Sequence, residues 1–251
     1  MLLAIDIGNT NVTIGIVEGG FIEGVRRTAT NRASTTDELE IMLRDLLALD
    51  DHDLNGATAM AVASVVPAMT ALVEAVAARL GIPTLVATSG TVPIPIRVDR
   101  PDLVGGDRIV NALAAVRLHG SPAIVCDLGT ATTLDCVGAD GAFVGGAIAP
   151  GLEVSVNALG ERAARLFGIE LATPPAAIGK NTAENMQSGA IFGFAGLVDG
   201  MVRRFAGELG SLSVIATGGL AGLVTPHCET VDEVAPWLTL DGLRLIWERN
   251  R

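Results

Sequence analysis

The chain has 251 residues, 49% of them hydrophobic, and its 28 acidic and 17 basic residues give a formal net charge of −11. This apolar content excludes a disordered protein, and the length allows one large domain or two small ones. The acidic excess, with no basic stretch, excludes nucleic-acid binding through phosphate neutralisation. The three cysteines lack paired spacing, which predicts no disulfide framework and a cytoplasmic protein.

The N-terminal segment predicts a β-meander followed by a helix. A buried strand runs up to Asp6, a second covers Val12–Val17, and a third lies near Phe21–Val25 after a glycine turn. The residues Thr35-Thr36-Asp37-Glu38 offer a capping box to the amphipathic pattern that follows them.

The longest apolar run, Ala57–Val73, is near the lower length limit of a membrane-spanning helix. Pro67 lies inside it and no arginine flanks it, so a buried strand, Ala59–Val65, followed by a helix that begins at Pro67 explains it better. The apolar start Met1–Ile5 is too short for a signal peptide and lacks a cationic region. The sequence predicts no membrane span.

The second half of the chain repeats the opening of the first. The strand that ends in Asp6-Ile7-Gly8 is echoed by one that ends in Asp127-Leu128-Gly129, about half the chain length later. Each copy continues into small hydroxyl or amide residues, a second apolar strand, a turn and a third short strand. Such self-similarity predicts two similar domains, each opening with a β-meander.

Helical patterns occupy the rest of the chain. One covers Asp107–Leu118, a long one follows Thr182, and a strand over Leu212–Ala216 runs into a glycine-rich turn. Strands that alternate with helices predict an α/β protein. We place the two domains at residues 1–116 and 117–251.

Both Asp-x-Gly turns have the composition of a phosphate-binding loop, because glycine permits close backbone approach. Asp6 and Asp127 would hold a cation, since hard cations prefer oxygen ligands and bridge nucleotide phosphates. A single Asp-x-Gly is more often only a turn stabilised by its own side chains. Two copies at half-chain spacing favour the nucleotide-binding interpretation. The short neutral donors of the two loops are Asn9, Thr10, Asn11, Thr130, Thr132 and Thr133.

Other nucleotide and metal motifs are absent from the sequence. The only lysine, Lys180, follows a glycine, but Asn181 stands where a P-loop needs Ser or Thr. No Gly-x-Gly-x-x-Gly follows a strand, which argues against a Rossmann site. The three histidines lack metal-ligand spacing.

The motifs together give a specific resemblance. The chain is similar to type III pantothenate kinases, a family within the superfamily of acetate kinases, sugar kinases, heat-shock ATPases and actin. The segments that carry this resemblance run in family order along the chain: Asp6–Asn11, Gly105–Arg108, Asp127–Thr133, Gly145–Gly151, Ile178–Thr182, Met186–Gly189, Thr217–Gly219 and Leu238–Leu243.

The resemblance implies two actin-like (ribonuclease H-like) domains, each a mixed β-sheet flanked by helices, with a nucleotide cleft between them. It implies ATP-dependent phosphorylation of the 4′-hydroxyl of pantothenate to 4′-phosphopantothenate, the first step of coenzyme A biosynthesis. It further implies Mg²⁺ with ATP, a monovalent cation (K⁺ or NH₄⁺), and a homodimer.

The resemblance also implies roles for individual residues. Asp107 would be the general base, and Asp127 would bind the monovalent cation. ATP would contact Thr130 of the second loop and all eight residues of the first loop. Those eight are Asp6, Ile7, Gly8, Asn9, Thr10, Asn11, Val12 and Thr13. Pantothenate would contact Gly105, Gly106, Asp107, Arg108 and Thr182.

Several of these residues have structural interpretations as well. A carboxylate can orient an alcohol and accept its proton, but Asp107 is equally explained as a helix N-cap. Arg108 would either bind the pantothenate carboxylate or form an ion pair with an acidic neighbour. Thr182 suits helix capping, which is compatible with substrate contact. Thr217-Gly218-Gly219 would either let adenosine approach between a strand and a helix or form a simple strand-to-helix turn.

The chain departs from the family pattern before the Gly-x-Asp-Arg motif. The family usually reads Tyr-x-Asn-Pro where this chain has Val98-Asp99-Arg100-Pro101, and Gly106 replaces a common alanine. The altered segment favours, as an alternative, a kinase for another small hydroxy acid or sugar. A second alternative is a catalytically silent regulatory homologue, against which the retained aspartates and Thr182 argue.

Overall fold

The computed structural model of the protein describes residues 1–162 and 169–250, which contain two five-stranded mixed sheets. The strands of the first sheet lie in the order β3-β2-β1-β4-β5. β1 is antiparallel to β2 and parallel to β4. The elements of this half are β1 Leu2–Ile7, β2 Asn11–Glu18, β3 Phe21–Ala29, α1 Thr36–Ala48, β4 Ala59–Ser64, α2 Pro67–Leu80, β5 Thr84–Val86 and α3 Gly106–Leu118.

The two faces of the first sheet bury different side chains. Leu3, Ile5 and Ile7 pack against α1 and α2, whose apolar residues recur at helical spacing. The opposite face presents small residues such as Ala4, and α3 packs there. Because side chains alternate along a strand, Asp6 lies on the face that α3 covers.

The second sheet repeats the topology of the first, with the order β8-β7-β6-β9-β10. Its central strand β6 is antiparallel to β7 and parallel to β9, as β1 is to β2 and β4. The predicted duplication is therefore confirmed in the strand order. The remaining elements are β6 Ala123–Leu128, β7 Ala131–Val137, β8 Phe143–Pro150, α4 Leu152–Arg162, α5 Thr182–Leu209, β9 Ser213–Thr217, α6 Ala221–Val224, β10 Glu233–Val234 and α7 Leu238–Arg249.

The long helix α5 covers one face of the second sheet. Ile124, Cys126 and Leu128 of β6 pack in the same core as its apolar side chains. Burial raises the pKa of the Cys126 thiol well above its usual range, and Cys136 is buried as well, so these two cysteines serve as packing residues. None of the helices within the described ranges has both the length and the apolarity needed to cross a bilayer.

The chain divides into two compact units, the first formed by Met1–Ala114 and Leu238–Arg251 and the second by Ala115–Trp237. The predicted domain limits assigned the C-terminal tail to the second half, whereas α7 packs on β1 and β4 of the first unit. A Cβ atom on Gly242 of α7 would lie 2.5 Å from the Val110 carbonyl oxygen, so glycine allows α7 to approach α3 closely. The Thr239 hydroxyl donates to Asn111 Oδ1 at 2.8 Å in the same interface.

Candidate active site

The first Asp-x-Gly turn is a tight, exposed loop at the end of β1. The Gly8 N–H donates to the Asn11 carbonyl at 2.9 Å, which closes the turn. Asn9 and Thr10 at its tip are exposed, whereas Asp6 is partly buried between Thr13 of β2 and Ala63 of β4. The loop therefore offers backbone N–H groups and short polar side chains to a ligand.

The start of α3 lies at the same edge of the first sheet. The Val65 N–H, just after β4, donates to the Ile7 carbonyl at 3.1 Å. A Cβ atom on Gly105 would lie 3.6 Å from Val65 Cγ1. Val65 thus links the first loop to the Gly105–Arg108 segment, at the carboxyl ends of the parallel strands where α/β sheets bind ligands.

Asp107 lies in the first turn of α3, which begins at Gly106. Its Oδ1 accepts the N–H of the adjacent Arg108 at 2.8 Å, instead of an N–H two or three residues ahead as an N-cap would. Among the described residues, the donors to this carboxylate are backbone N–H groups, that of Arg108 and that of Asp107 itself. Burial raises the pKa of the Asp107 carboxyl, and the N–H and charge of Arg108 offset only part of that rise.

The glycine at position 106 is explained by the turn after β5. A Cβ atom on Gly106 would lie 2.5 Å from the Ala87 carbonyl oxygen, far inside contact distance. The start of α3 therefore sits closer to this turn than alanine permits.

We expect Gly106→Ala to destabilise the protein by about 1–3 kcal/mol, the usual cost of forcing an extra methyl into packed structure. Gly207→Ala is the matched control, because Gly207 lies in α5 with open space around it. That control is expected to gain up to about 1 kcal/mol from helix propensity. Urea unfolding of both variants measures the difference. Equal stability of Gly106→Ala and the unmutated chain would contradict this account of position 106.

Arg100, which departs from the family pattern, is paired at the surface. Its guanidinium makes two hydrogen bonds to the Asp102 carboxylate, at 3.0 and 2.7 Å, and both side chains are exposed. The hydrogen bonds from Arg100 hold the pKa of Asp102 below its ordinary value. The charge that this departure adds is thus neutralised locally.

In the second unit, two glycine turns lie against the second Asp-x-Gly loop, which follows Asp127. A Cβ atom on Gly218, whose φ is +93°, would collide with Asp127 Oδ1 and lie 2.7 Å from the Leu128 backbone nitrogen. A Cβ atom on Gly151 would lie 2.5 Å from the Gly129 carbonyl oxygen and collide with that of Thr130. Glycines therefore let the turns after β8 and β9 close around the second Asp-x-Gly loop.

This arrangement fits a cation beside Asp127. Its carboxylate lies in a cradle that a single methyl group on Gly218 would fill, and carboxylate and carbonyl oxygens suit hard cations. Among the described residues, no cluster of three or more His, Cys, Asp or Glu could hold a metal by itself. Hard cations also take backbone carbonyl oxygens, water and substrate phosphates as ligands.

Two predicted details of the second unit differ in the structure. Thr132 is buried and lies on the opposite face of β7 from Thr133, so it does not line the loop. Asn181, not Thr182, is the N-cap of α5, since its Oδ1 accepts the Glu184 N–H at 3.0 Å. Thr182 is the first helical residue, exposed beside a groove between α4 and α5.

That groove has a volume of about 470 Å³ and is mainly apolar. Thr182 and Asn185 contribute its polar groups from the start of α5, and Ser155 contributes one from α4. The remaining lining residues are Val156, Leu159, Met186, Gly189, Ala190 and Phe194.

The structure thus groups the predicted residues by unit. Asp6–Thr13 and Gly105–Arg108 share one edge of the first sheet, and Asp127 and Thr130 share the cradle of the second. Sequence reasoning missed Thr30 and Arg32, which contact the first loop. The polar run before the Thr35 capping box was the available signal, but its contacts to the loop are long-range.

Comparison with known proteins gives a consistent result. A family model described as type III pantothenate kinase matches residues 2–204. The type III pantothenate kinase of Streptomyces avermitilis is 48% identical over 263 residues, covering 100% of this chain and 98% of the relative. That of Moorella thermoacetica is 47% identical over 253 residues and covers 100% of both chains.

Solved structures share the fold. A Baf family transcriptional activator from Campylobacter jejuni has a TM-score of 0.63 at 16% identity, covering 99% of this chain and 98% of that chain. The polyphosphate/ATP-glucomannokinase of an Arthrobacter species has a TM-score of 0.54 at 17% identity, covering 100% and 99%. These likenesses confirm the predicted α/β fold.

Proposed function

The chain belongs to the type III pantothenate kinase family, and from this premise we propose that Asp107 accepts a proton from the 4′-hydroxyl of pantothenate while the two Asp-x-Gly loops bind ATP. The protein is a kinase that phosphorylates pantothenate with ATP in coenzyme A biosynthesis. One observation carries the proposed residue roles: Asp6 and Asp107 belong to neighbouring loops at one edge of the first sheet, joined through Val65.

The chemistry of Asp107 follows from its two oxygens. Oδ1 is fixed by the Arg108 N–H, which leaves Oδ2 to accept a hydrogen bond from the substrate hydroxyl and then its proton. A carboxyl whose pKa is raised by desolvation is a stronger base than an exposed aspartate. The hydroxyl oxygen, so oriented, attacks the terminal phosphorus of ATP, and ADP leaves on the opposite side.

The first loop, Asp6–Thr13, is proposed to bind the ATP phosphates together with Thr130 of the second loop. The family implies ATP with a divalent metal, and the oxygen-rich set around Asp6 suits Mg²⁺ shared with phosphate oxygens. When bound, this ion neutralises phosphate charge. The backbone N–H groups of the loop orient the phosphates, which is most of what phosphoryl transfer requires of a protein.

Asp127 is proposed to bind the monovalent cation, K⁺ or NH₄⁺. The cradle formed by Gly218 supports this role, because it keeps the carboxylate next to the second loop with no methyl group between them. Pantothenate is proposed to contact Gly105, Gly106 and Asp107, with Arg108 facing its carboxylate.

We propose that the enzyme is a homodimer in which Thr182 also contacts pantothenate. The surface around Thr182 supports this, since Val154 and Leu159 of α4 and Ile178 before α5 are 44%, 48% and 76% exposed. Exposed apolar residues grouped in this way favour a protein interface.

Analytical ultracentrifugation tests the dimer. We expect Leu159→Glu to give a monomer, because a buried carboxylate would face an apolar partner surface. Leu49→Glu, which changes a leucine of the first unit that is 64% exposed, is expected to remain dimeric. A monomeric unmutated protein would contradict the proposal.

The reaction itself is tested by ADP release from the purified protein with Mg²⁺ and K⁺, with and without pantothenate. We expect release to depend on pantothenate and to give a product heavier by one phosphoryl group. ATP binding without pantothenate-dependent release would favour another acceptor or a silent homologue, and would direct attention to the Val98-Asp99-Arg100 segment.

A further inference from the structure

A short segment between β3 and α1 is bonded to the first phosphate loop. In this segment, Thr30–Ser34, the Thr30 N–H donates to the Thr10 carbonyl at 2.9 Å and the Thr30 hydroxyl donates to the Gly8 carbonyl at 2.7 Å. The Arg32 guanidinium donates through Nη2 to Asn9 Oδ1 at 2.7 Å. Three consecutive loop residues are thus each bonded to this segment.

The segment has its own internal order. The Ala33 N–H donates to Asn31 Oδ1 at 3.1 Å and the Ser34 N–H to the Asn31 carbonyl at 3.2 Å. The capping box of α1, formed by Thr35 and Glu38, follows directly. Arg32 therefore projects from a fixed turn between two regular elements, which limits the entropy lost when it binds a ligand.

Arg32 brings an unpaired positive charge to the loop. Within residues 1–162 and 169–250, its guanidinium bonds to the neutral Asn9 amide and to no carboxylate. By contrast, Arg26 of β3 is held by Asp50. The chain carries a net charge of −11, and its only lysine, Lys180, lies in the second unit. The first loop itself, Asp6–Thr13, contains no basic residue.

We propose that Arg32 binds the terminal phosphates of ATP and holds Asn9 in the orientation that turns its side-chain NH₂ group toward them. The proposal rests on the proposed function of the Asp6–Thr13 loop. Arginine is suited to this task, because its planar guanidinium has further N–H donors after bonding Asn9 and forms strong charge-assisted bonds to phosphate oxygens. In phosphoryl transfer, negative charge lies on the equatorial oxygens of the transferred group, where such a cation stabilises the transition state.

The test separates charge from loop support with four variants. Arg32→Gln removes the charge, Arg32→Lys keeps it, and Thr30→Val removes one loop hydrogen bond without changing charge. Arg204→Gln is the matched control, since Arg204 is an exposed arginine of α5 with no hydrogen bond to another described residue. Calorimetry measures the binding of ATP and of adenosine, and steady-state assays measure kcat and KM.

For Arg32→Gln we expect ATP affinity to fall about tenfold, the usual effect of losing one charged hydrogen bond, with adenosine affinity unchanged. We expect kcat to fall at least about tenfold as well. Arg32→Lys should recover part of both losses, and Arg204→Gln should behave as the unmutated protein.

Unchanged ATP affinity and kcat in Arg32→Gln would overturn the proposal. So would equal losses in Arg32→Gln and Arg32→Lys that match those of Thr30→Val, because they would assign Arg32 a purely structural role. The calorimetric measurement of ATP binding does not depend on which alcohol accepts the phosphoryl group. A protein that binds ATP but does not phosphorylate pantothenate would fail the proposed function while leaving the Arg32 result interpretable. A protein that does not bind ATP would overturn both.

Discussion

Replacing Asp107 by asparagine is expected to lower kcat by about 10²–10⁴-fold, the range that general-base catalysis contributes. Asparagine keeps the size of the side chain and its hydrogen bond from the Arg108 N–H, but it cannot take up a proton at the Oδ2 position. ATP affinity should remain unchanged, because no phosphate contact is assigned to this carboxylate. Steady-state kinetics and calorimetry with ATP measure the two quantities separately.

The pH profile gives an independent check on Asp107. The base must be ionised, so kcat/KM should fall as pH falls through its pKa. Because burial raises that pKa, the fall should begin at a higher pH than for an ordinary aspartate. Asp45→Asn is the matched control, since Asp45 is an exposed residue of α1 outside the segments assigned to the site. Turnover retained in Asp107→Asn would remove Asp107 as the base.

The second large effect is expected from Gly218→Ala. Its methyl group would collide with Asp127 Oδ1 and the Leu128 backbone, so either the carboxylate or the loop must move. A displacement of this kind at a reacting site costs about 10²-fold in rate. We expect activity in K⁺ or NH₄⁺ with little in Na⁺ for the unmutated enzyme, and loss of that ion preference in Gly218→Ala.

The backbone strain of alanine is controlled separately by Gly120→Ala. Gly120 has the same φ of +93° but no atom within 4 Å of a Cβ position. The left-handed conformation lowers the free energy of unfolding of both variants by about 1–2 kcal/mol. Any further difference between them comes from the contact with Asp127 and Leu128. Thermal unfolding in K⁺ against Na⁺ provides a readout besides activity. An unmutated enzyme indifferent to the ion would contradict the role of Asp127.

Local sequence pattern predicted most of the elements. The apolar strand before Asp6 and its echo before Asp127 became the central strands of two sheets with the same strand order. The predicted helix from Pro67 ends before Gly81, as its left-handed C-cap requires. Hydrophobic periodicity and turn residues determine secondary structure over a few positions, so these elements can be predicted from the sequence.

Contacts between distant segments were not predictable in this way. Neither the approach of Gly106 to the Ala87 carbonyl nor the bond from Arg32 to Asn9 leaves a periodic signal, because each depends on where the fold brings separate turns. The sequence offers Thr182 as the N-cap of α5, whereas the N-cap is Asn181. The two positions differ by one residue, and both residue types favour N-caps, so local pattern does not separate them.

The return of α7 to the first unit has a consequence for the order of events on the ribosome. The second unit is one continuous stretch, Ala115–Trp237, whereas the first needs both Met1–Ala114 and the later α7. Until α7 has been synthesised, Leu2, Ala4 and the other small apolar residues of that sheet face lack part of their cover. The unit that is translated first is therefore completed last. While the second unit is being translated, the N-terminal sheet is an incomplete intermediate, and one of its apolar faces is partly uncovered.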